Sequence, residues 1–197
     1  MKIIAATGNA GKIREIKKIF QMPFVEVISM KEAGIDIEIE ENGSTFCENA
    51  LIKAREIHKL CKCAVVSDDS GLCVDALNGA PGIYSARYAG ENATDAERIE
   101  KLLGELENEG NRAAKFVSAV AFITPEGREF VALGEVYGSI TREATGDGGF
   151  GYDPIFYSTE LSKTFGEATA EEKNSISHRA RAFSNLYNIL MEENIFD

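Results

Sequence analysis

The sequence predicts an α/β protein built on a mixed β-sheet, and two observations support this class. Short apolar runs typical of buried strands alternate with segments whose apolar residues recur at helical spacing. Two long runs, Ala113–Ile123 and residues 128–137, flank the turn Pro125-Glu126-Gly127, which is typical of an antiparallel hairpin. Because strands joined through helices are usually parallel and hairpin strands are antiparallel, the sheet is expected to contain both kinds of pairing.

The N-terminal part of the chain is predicted to contain strands and two helices. Apolar or alternating runs predict four strands, at residues 2–6, 24–28, 35–40 and 63–67. Apolar residues at helical spacing predict a helix over residues 12–20. A second helix is expected after Thr45, because Thr45-x-x-Glu48 has the form of a capping box.

The middle of the chain is predicted to continue with a loop, an apolar run, a turn and a helix. Residues 68–71 are expected to form a loop after the last of the four strands, before an apolar run at 72–77 and a turn at 78–82. Thr94-x-x-Glu97 is a second capping box and predicts a helix before the hairpin.

The C-terminal part is predicted to contain a glycine-rich loop and two helices. The loop covers residues 145–154, one helix follows Thr169, and another covers residues 177–192. The inward face of the last helix is predicted to carry Phe183, Leu186, Tyr187 and Leu190.

Length and composition are ordinary for a globular protein. The chain has 197 residues, of which 44% are apolar and 27% are charged. We expect residues 1–197 to form a single domain with two lobes. No apolar run approaches the roughly 18 residues of a membrane span, and the first apolar stretch is shorter than the core of a secretory signal. The protein is therefore expected to be cytoplasmic and to have no membrane partner.

The charge balance argues against a polymeric nucleic acid as partner. Lys and Arg number 21 and Asp and Glu number 32, which gives a net charge of −11. Such a protein repels a phosphate backbone, although a few lysines in one site can still bind a single nucleotide. The cysteines Cys61 and Cys63 form C-x-C rather than the C-x-x-C of a zinc or redox motif. All four cysteines are expected to be reduced and partly buried.

A glycine-containing loop joins the first strand to the first helix and could bind a phosphate. Its residues are Thr7, Gly8, Asn9, Ala10, Gly11 and Lys12. The glycines let the backbone approach a ligand, the helix N-terminus carries partial positive charge, and the lysine adds a full charge. The loop matches neither the Walker A pattern nor G-x-G-x-x-G, and a plain strand-to-helix turn is the alternative.

Two acidic groups could hold a divalent cation. Asp68 and Asp69 are adjacent, and adjacent carboxylates repel unless a cation or hydrogen-bond donors compensate. The second group is Glu38, Glu40 and Glu41. Mg²⁺ prefers carboxylate oxygens and often binds beside substrate phosphates. The spacing does not place the two groups together, and two solvated acidic turns are the alternative.

Two further segments could bind a nucleotide base. The glycine-rich loop ends in an aromatic and acidic segment, Phe150, Gly151, Tyr152 and Asp153. Aromatic rings suit stacking on a flat base, although a packed loop is the alternative. Lys173 and the sequence Ser177-His178-Arg179 lie on the two C-terminal helices, and Ser177 is expected to cap the second. Positive side chains in a first helical turn oppose the helix dipole unless they serve a ligand.

Taken together, these segments resemble the inosine triphosphate pyrophosphatase family, also called Ham1-like. The matching motifs are TGNAGKIREI, ENGSTFCENALIKA, SDDSGLCVDALNGAPGIYSARYAG, TGDGGFGYDPIF and EEKNSISHRARA, in the order of the family. The resemblance covers nearly the whole chain. It implies an elongated mixed sheet with helices forming two lobes around a nucleotide cleft, and a homodimer.

The resemblance also implies a reaction and its residues. A non-standard purine nucleoside triphosphate such as ITP, dITP or XTP would be hydrolysed to the monophosphate and pyrophosphate, with Mg²⁺ required. Asp69 would be the general base and, with Glu40, a metal ligand. The triphosphate would be bound by the loop at 7–12 and Lys53, and further substrate contacts would come from Ser70, Phe150, Gly151, Tyr152, Asp153, Lys173, His178 and Arg179.

Two other classes of function remain open at this point. One is a nucleotide-binding regulator without hydrolysis, against which the paired acids Asp68 and Asp69 argue. The other is a Maf-like pyrophosphatase that acts on modified pyrimidine nucleotides. The Ser-His-Arg segment and the Phe-Gly-Tyr-Asp loop favour the purine family.

Overall fold

The computed structural model describes residues 1–19 and 25–196, and within them the strands form one mixed sheet. The strands are β1 (Lys2–Ala5), β2 (Glu26–Ser29), β3 (Ala64–Val74), β4 (Ala113–Ile123), β5 (Glu129–Ile140), β6 (Phe156–Ser158) and β7 (Lys163–Thr164). Their order across the sheet is β2-β1-β3-β4-β5-β6-β7. The predicted positions Phe20 and Phe24 lie outside the described residues.

The pairing confirms the predicted mixture of parallel and antiparallel strands. β1 is parallel to both β2 and β3, with Ile3 opposite Val27 on one side and Ala64 on the other. β6 is antiparallel to both β5 and β7. The predicted hairpin of β4 and β5 forms, and β6 and β7 extend the sheet beyond what the sequence predicted.

The predicted helices form, although the first begins at Ala10 rather than at residue 12. They are α1 (Ala10–Ile19), α2 (Phe46–Cys61), α3 (Asp95–Glu105), α4 (Ala170–Ile176) and α5 (His178–Glu192). Thr94 and Thr169 each form a complete capping box with the glutamate three residues later. Thr45 accepts from the Glu48 N–H, but the Glu48 carboxylate accepts from Ser44 instead of closing the box.

The chain divides into two compact units. The first unit comprises Met1–Asp69, Ser118–Gly134 and Arg179–Asp197, and the second comprises Ser70–Val117 and Glu135–His178. The core of the first unit includes Ile3, Val66, Phe122, Phe183 and Leu186, all buried. The core of the second unit includes Leu72, Leu102, Phe116, Phe156 and Phe165.

The acidic segment at 68–71 is part of a strand, and the predicted loop is wrong. β3 continues without interruption from Ala64 to Val74. Adjacent residues of a strand point to opposite faces, so Asp68 and Asp69 do not face each other. Because each meets its own cationic partner, the repulsion expected between them does not end the strand.

Residues 35–40 were predicted as a strand from their alternation, and the structure contains no strand there. Ile35 and Ile39 pack against buried side chains of the first unit, whereas Ile37 is 40% exposed. The alternation therefore reflects one-sided burial of an irregular segment. A strand also needs a hydrogen-bonding neighbour, which this segment lacks among the described residues.

Two side-chain predictions are also wrong. Tyr187 is 42% exposed, whereas Phe183, Leu186 and Leu190 face the core as predicted. Cys61 and Cys63 are joined by a disulfide rather than reduced. Lys62 between them takes a left-handed conformation (φ 51°) as α2 ends, and the Cα atoms of the two cysteines lie 5.2 Å apart, within the range that a disulfide spans.

No helix in the described ranges is long and apolar enough to cross a membrane.

Candidate active site

The predicted loop at 7–12 is shorter in the structure, because residues 10–12 already belong to α1 and Asn9 caps the helix. The Asn9 side-chain oxygen accepts from the N–H groups of Gly11 at 2.8 Å and Lys12 at 3.1 Å. These two donors, which the sequence suggested for an anion, are therefore engaged by the cap. Among the described residues, no heavy atom outside its chain neighbours lies within 4 Å of a Cβ built at Gly8.

Asp68 lies at the centre of a buried ion network in the first unit. Its Oδ2 is 3.2 Å from Lys12 Nζ and accepts from Arg179 Nε at 3.1 Å. The Arg179 guanidinium also pairs with Glu15 on α1. Burial opposes the charge on Asp68, but Lys12 and Arg179 outweigh it and hold the pKa of Asp68 well below its ordinary value. Asp68 therefore remains ionised and fixes two cations.

Asp69 faces a second set of partners. Lys53 Nζ lies 3.3 Å from Asp69 Oδ1 and 2.9 Å from Glu41 Oε2, so one ammonium joins two carboxylates. Asn49 donates to Asp69 Oδ2 at 3.2 Å. Burial raises the pKa of Asp69 although Lys53 and Lys12 oppose this, whereas the carboxylates of Asp69 and Glu41 raise the pKa of Lys53 against its own burial. A carboxylate with a raised pKa is a better acceptor for a proton near neutral pH.

The acidic segment before α2 meets this cluster through Glu41. Glu41 contacts Lys53, while Glu38 and Glu40 are exposed. No group of three or more His, Cys, Asp or Glu side chains is arranged around a metal position in the part of the chain that the structure describes. Two carboxylates are nevertheless a donor set that suits Mg²⁺, which commonly takes one or two from the protein and the rest from phosphates and water.

In the second unit, Asp153 and Lys173 form a buried pair beneath an aromatic ring. Lys173 Nζ donates to Asp153 Oδ2 at 2.7 Å and lies 4.7 Å from the centre of the Phe150 ring. Asp153 also accepts from the Phe150 N–H at 2.8 Å. Gly149 (φ +75°) permits this approach, because a Cβ there would lie 2.0 Å from the Asp153 carboxylate.

Two contacts that the sequence did not reveal anchor the same loop. Asp95 at the start of α3 accepts from the Gly151 N–H at 2.7 Å. The Tyr152 hydroxyl donates to the Ser85 carbonyl at 2.9 Å. No sequence signal pairs residues so far apart in the chain. The loop at 150–153 is thereby fixed in a defined conformation within the second unit.

The Ser-His-Arg segment marks the boundary between the two units. Ser177 ends α4, where its N–H donates to the Lys173 carbonyl, and its capping of α5 stays a prediction. The buried His178 ring stacks on Phe116 with 4.8 Å between ring centres. Arg179 belongs to the first unit and contacts Asp68 there. The other predicted substrate residue, Ser70, follows Asp69 on β3 and is half-buried.

These features define an α/β protein with a mixed sheet and a buried cluster of lysines and carboxylates. Residues 3–189 match the model of the Ham1 family, and the chain belongs to that family.

The chain is similar over nearly its full length to several relatives. It is 49% identical to a dITP/XTP pyrophosphatase of Clostridium perfringens, covering 94% of this chain and 95% of the relative. It is 46% identical to the dITP/XTP pyrophosphatase of Treponema denticola, covering 92% of this chain and 94% of the relative. The structure of the Staphylococcus aureus Ham1 protein superposes with a TM-score of 0.88, at 46% identity, covering 98% of this chain and 100% of that one.

Proposed function

We propose that this protein hydrolyses non-standard purine nucleoside triphosphates, such as dITP, ITP and XTP, to the monophosphate and pyrophosphate. The observation that carries the proposal is the buried Asp69, which is held by Lys53 and Asn49 and has a raised pKa. Relatives named dITP/XTP pyrophosphatases, similar over more than nine-tenths of the chain, support the substrate class.

In the proposed reaction, a water molecule attacks the α-phosphorus and the bond to the β-phosphate oxygen breaks. Asp69 accepts a proton from this water, and pyrophosphate leaves. Lys12 and Lys53 offset the negative charge of the triphosphate, as positioning and electrostatics dominate the catalysis of phosphoryl transfer. The buried Asp68 holds Lys12 in place through the 3.2 Å ion pair.

We assign base binding to the loop at 150–153 and to Lys173, which lie in the second unit. The Phe150 ring offers a face for stacking, and Lys173 and Asp153 offer a donor and an acceptor beside it. His178 and Arg179 add donors suited to a 6-keto oxygen. Inosine and xanthosine carry that oxygen, and adenosine carries an amino group instead.

A divalent cation fits the donor set of Asp69 and an acid of the segment before α2. Glu40 was expected from the resemblance, whereas Glu41 shares Lys53 with Asp69. A bound Mg²⁺ would neutralise charge on the phosphates and lower the pKa of a coordinated water.

The test is pyrophosphate release from a panel of triphosphates with and without Mg²⁺. We expect release from ITP, dITP and XTP, little from GTP, much less from ATP, and almost none from UTP or TTP. Preferential release from UTP or TTP would favour the Maf-like alternative instead. Tight nucleotide binding without any release would favour a regulator.

The Glu40 and Glu41 assignments can be separated by metal titration. We expect Glu41→Gln to raise the Mg²⁺ concentration needed for half-maximal activity about tenfold or more, because it removes the carboxylate that shares Lys53 with Asp69. Glu40→Gln is the matched control one residue away. If Glu40→Gln raises the Mg²⁺ concentration for half-maximal activity and Glu41→Gln does not, Glu40 is the metal ligand instead.

Lys53→Ala is expected to lower kcat/KM for ITP by at least about 100-fold. The substitution removes a charge from the triphosphate and leaves Asp69 and Glu41 without their shared ammonium. Steady-state kinetics measures the effect. Lys59→Ala, on the exposed part of the same helix, is the control, and parent-like kinetics of Lys53→Ala would contradict the role.

We further propose a cytoplasmic homodimer. This proposal follows from the resemblance to the Ham1-like family, to which the chain belongs. Light scattering on purified protein measures the assembly, and a mass near 21.5 kDa would contradict it.

A further inference from the structure

One buried amide joins the acidic segment before α2 to Asp69. Asn49 lies in the first turn of α2 and is 1% exposed. Its Oδ1 accepts from the Gly43 N–H at 2.8 Å, and its Nδ2 donates to Asp69 Oδ2 at 3.2 Å. Asn49 therefore connects three parts of the first unit: the segment that carries Glu41, the helix and β3.

The orientation of this amide is determined by its partners. A backbone N–H can only donate, so the atom that faces Gly43 must be the amide oxygen. The NH₂ group then faces Asp69, whose carboxylate can only accept when ionised. A rotated amide would lose both hydrogen bonds, so Asn49 presents a donor to Asp69.

Gly43 makes the contact possible. A Cβ built on Gly43 would lie 2.6 Å from the Asn49 side-chain oxygen and 2.8 Å from Glu48 Cβ. Both distances are shorter than real Cβ contacts. Any larger residue at this position would displace the Asn49 amide or the segment that carries Glu41.

Asp69 is held from both sides. Lys53 contacts Oδ1 and Asn49 contacts Oδ2, so the plane of the carboxylate is fixed by two donors on two different atoms. With Lys53 alone, the carboxylate could rotate about its broad χ2 torsion. A general base needs its lone pair aimed at the attacking water, and a misplacement of about 1 Å can cost about 100-fold in rate.

We infer that Asn49 is a positioning residue for Asp69, which fixes the orientation in which this carboxylate accepts the proton from water. The inference rests on the proposed hydrolysis. Asn49 acts on the reaction only through Asp69, so its loss should slow the chemical step while substrate binding remains close to normal.

The test compares Asn49→Ala and Asn49→Asp with Ser67→Ala. The Ser67 hydroxyl donates to the Ala50 carbonyl at 2.5 Å, so the control removes a buried hydrogen bond between the same helix and strand. We expect both Asn49 variants to lose about 30-fold or more in kcat for ITP, with KM changed less than about threefold. Ser67→Ala should lower the melting temperature about as much as the Asn49 variants do. Its kcat should nevertheless stay near that of the parent.

Asn49→Asp separates positioning from support of the fold. It keeps the oxygen that accepts from Gly43 and replaces the donor to Asp69 with a second carboxylate oxygen, which repels Asp69. A purely structural role predicts that Asn49→Asp is far more active than Asn49→Ala, and this result would overturn the inference. If Ser67→Ala lowers kcat as much as the Asn49 variants do, the inference is overturned as well.

Gly43→Ala tests the same contact without altering Asn49 or Asp69. We expect a fall in kcat in the same direction, and this variant decides the matter if the Asn49 variants do not fold. If the parent is active and the Asn49 and Gly43 variants have the same kcat as the parent, the positioning role is overturned but the proposed function is not. A parent that releases no pyrophosphate from any triphosphate overturns the proposed function, and the positioning role with it.

Discussion

Asp69→Asn is expected to lower pyrophosphate release from ITP by at least about 1,000-fold while the fold stays intact. The amide cannot accept the proton of the attacking water, and general-base catalysis alone contributes about 10² to 10⁴. Burial raises the pKa of Asp69, so the folded protein gains little from its charge. Steady-state kinetics and thermal unfolding measure the two effects, and activity within a few-fold of the parent would exclude Asp69 as the base.

Asp68→Asn is the matched control. We expect it to lose much more stability and less activity than Asp69→Asn. The neutral amide leaves Lys12 and Arg179 without the buried carboxylate that lies between them. Breaking a buried ion pair from one side costs about 3–5 kcal/mol. Urea denaturation should therefore show a large loss of unfolding free energy for Asp68→Asn and a small one for Asp69→Asn, while Asp68→Asn retains more turnover when folded.

The sequence was sufficient to predict the elements whose causes are local. The capping box at Thr94 and the start of α2 after Thr45 were predictable because a capping box needs only four consecutive residues. The hairpin of β4 and β5 was predictable because alternation and a turn are both local signals.

The errors arose where distant residues decide the structure. The strand character of residues 68–71 depends on cations from other elements, Lys12 on α1 and Lys53 on α2, which no local pattern reveals. Alternation at 35–40 predicted a strand, but a strand also requires a partner with free backbone groups.

In the candidate site too, local patterns were predictive, whereas contacts between distant residues were not. The glycine-containing loop pointed to Lys12 and the paired acids pointed to Asp69, whereas Lys53 was a candidate only because the sequence resembles the Ham1-like family. Asn49 and Asp95 were missed because each gains its role only from what it contacts after folding.

The choice of base is expected to depend on hydrogen-bond donors aimed at position 6 of the purine. A site built to hydrogen-bond a keto oxygen leaves its donors unpaired against an amino group, and such sites can discriminate by about 10⁴ or more. Guanosine shares the keto oxygen, so its weaker turnover must arise at its 2-amino group. Kinetics with ITP, XTP, GTP and ATP measure this order.

Arg179→Ala is expected to lower kcat/KM for ITP much more than for ATP and so to narrow this preference. The same substitution removes the partner of Asp68 and Glu15, and it should also reduce the free energy of unfolding by about 3–5 kcal/mol. Arg179→Lys separates the two effects, since an ammonium can still neutralise Asp68 but cannot reproduce the planar fork of the guanidinium. Compared with Arg179→Ala, we therefore expect Arg179→Lys to have a higher free energy of unfolding but no stronger preference for ITP over ATP. An Arg179→Ala enzyme that slows equally on ITP and ATP would assign the guanidinium to Asp68 and the phosphates, and base selection would then fall to His178 and the loop at 150–153.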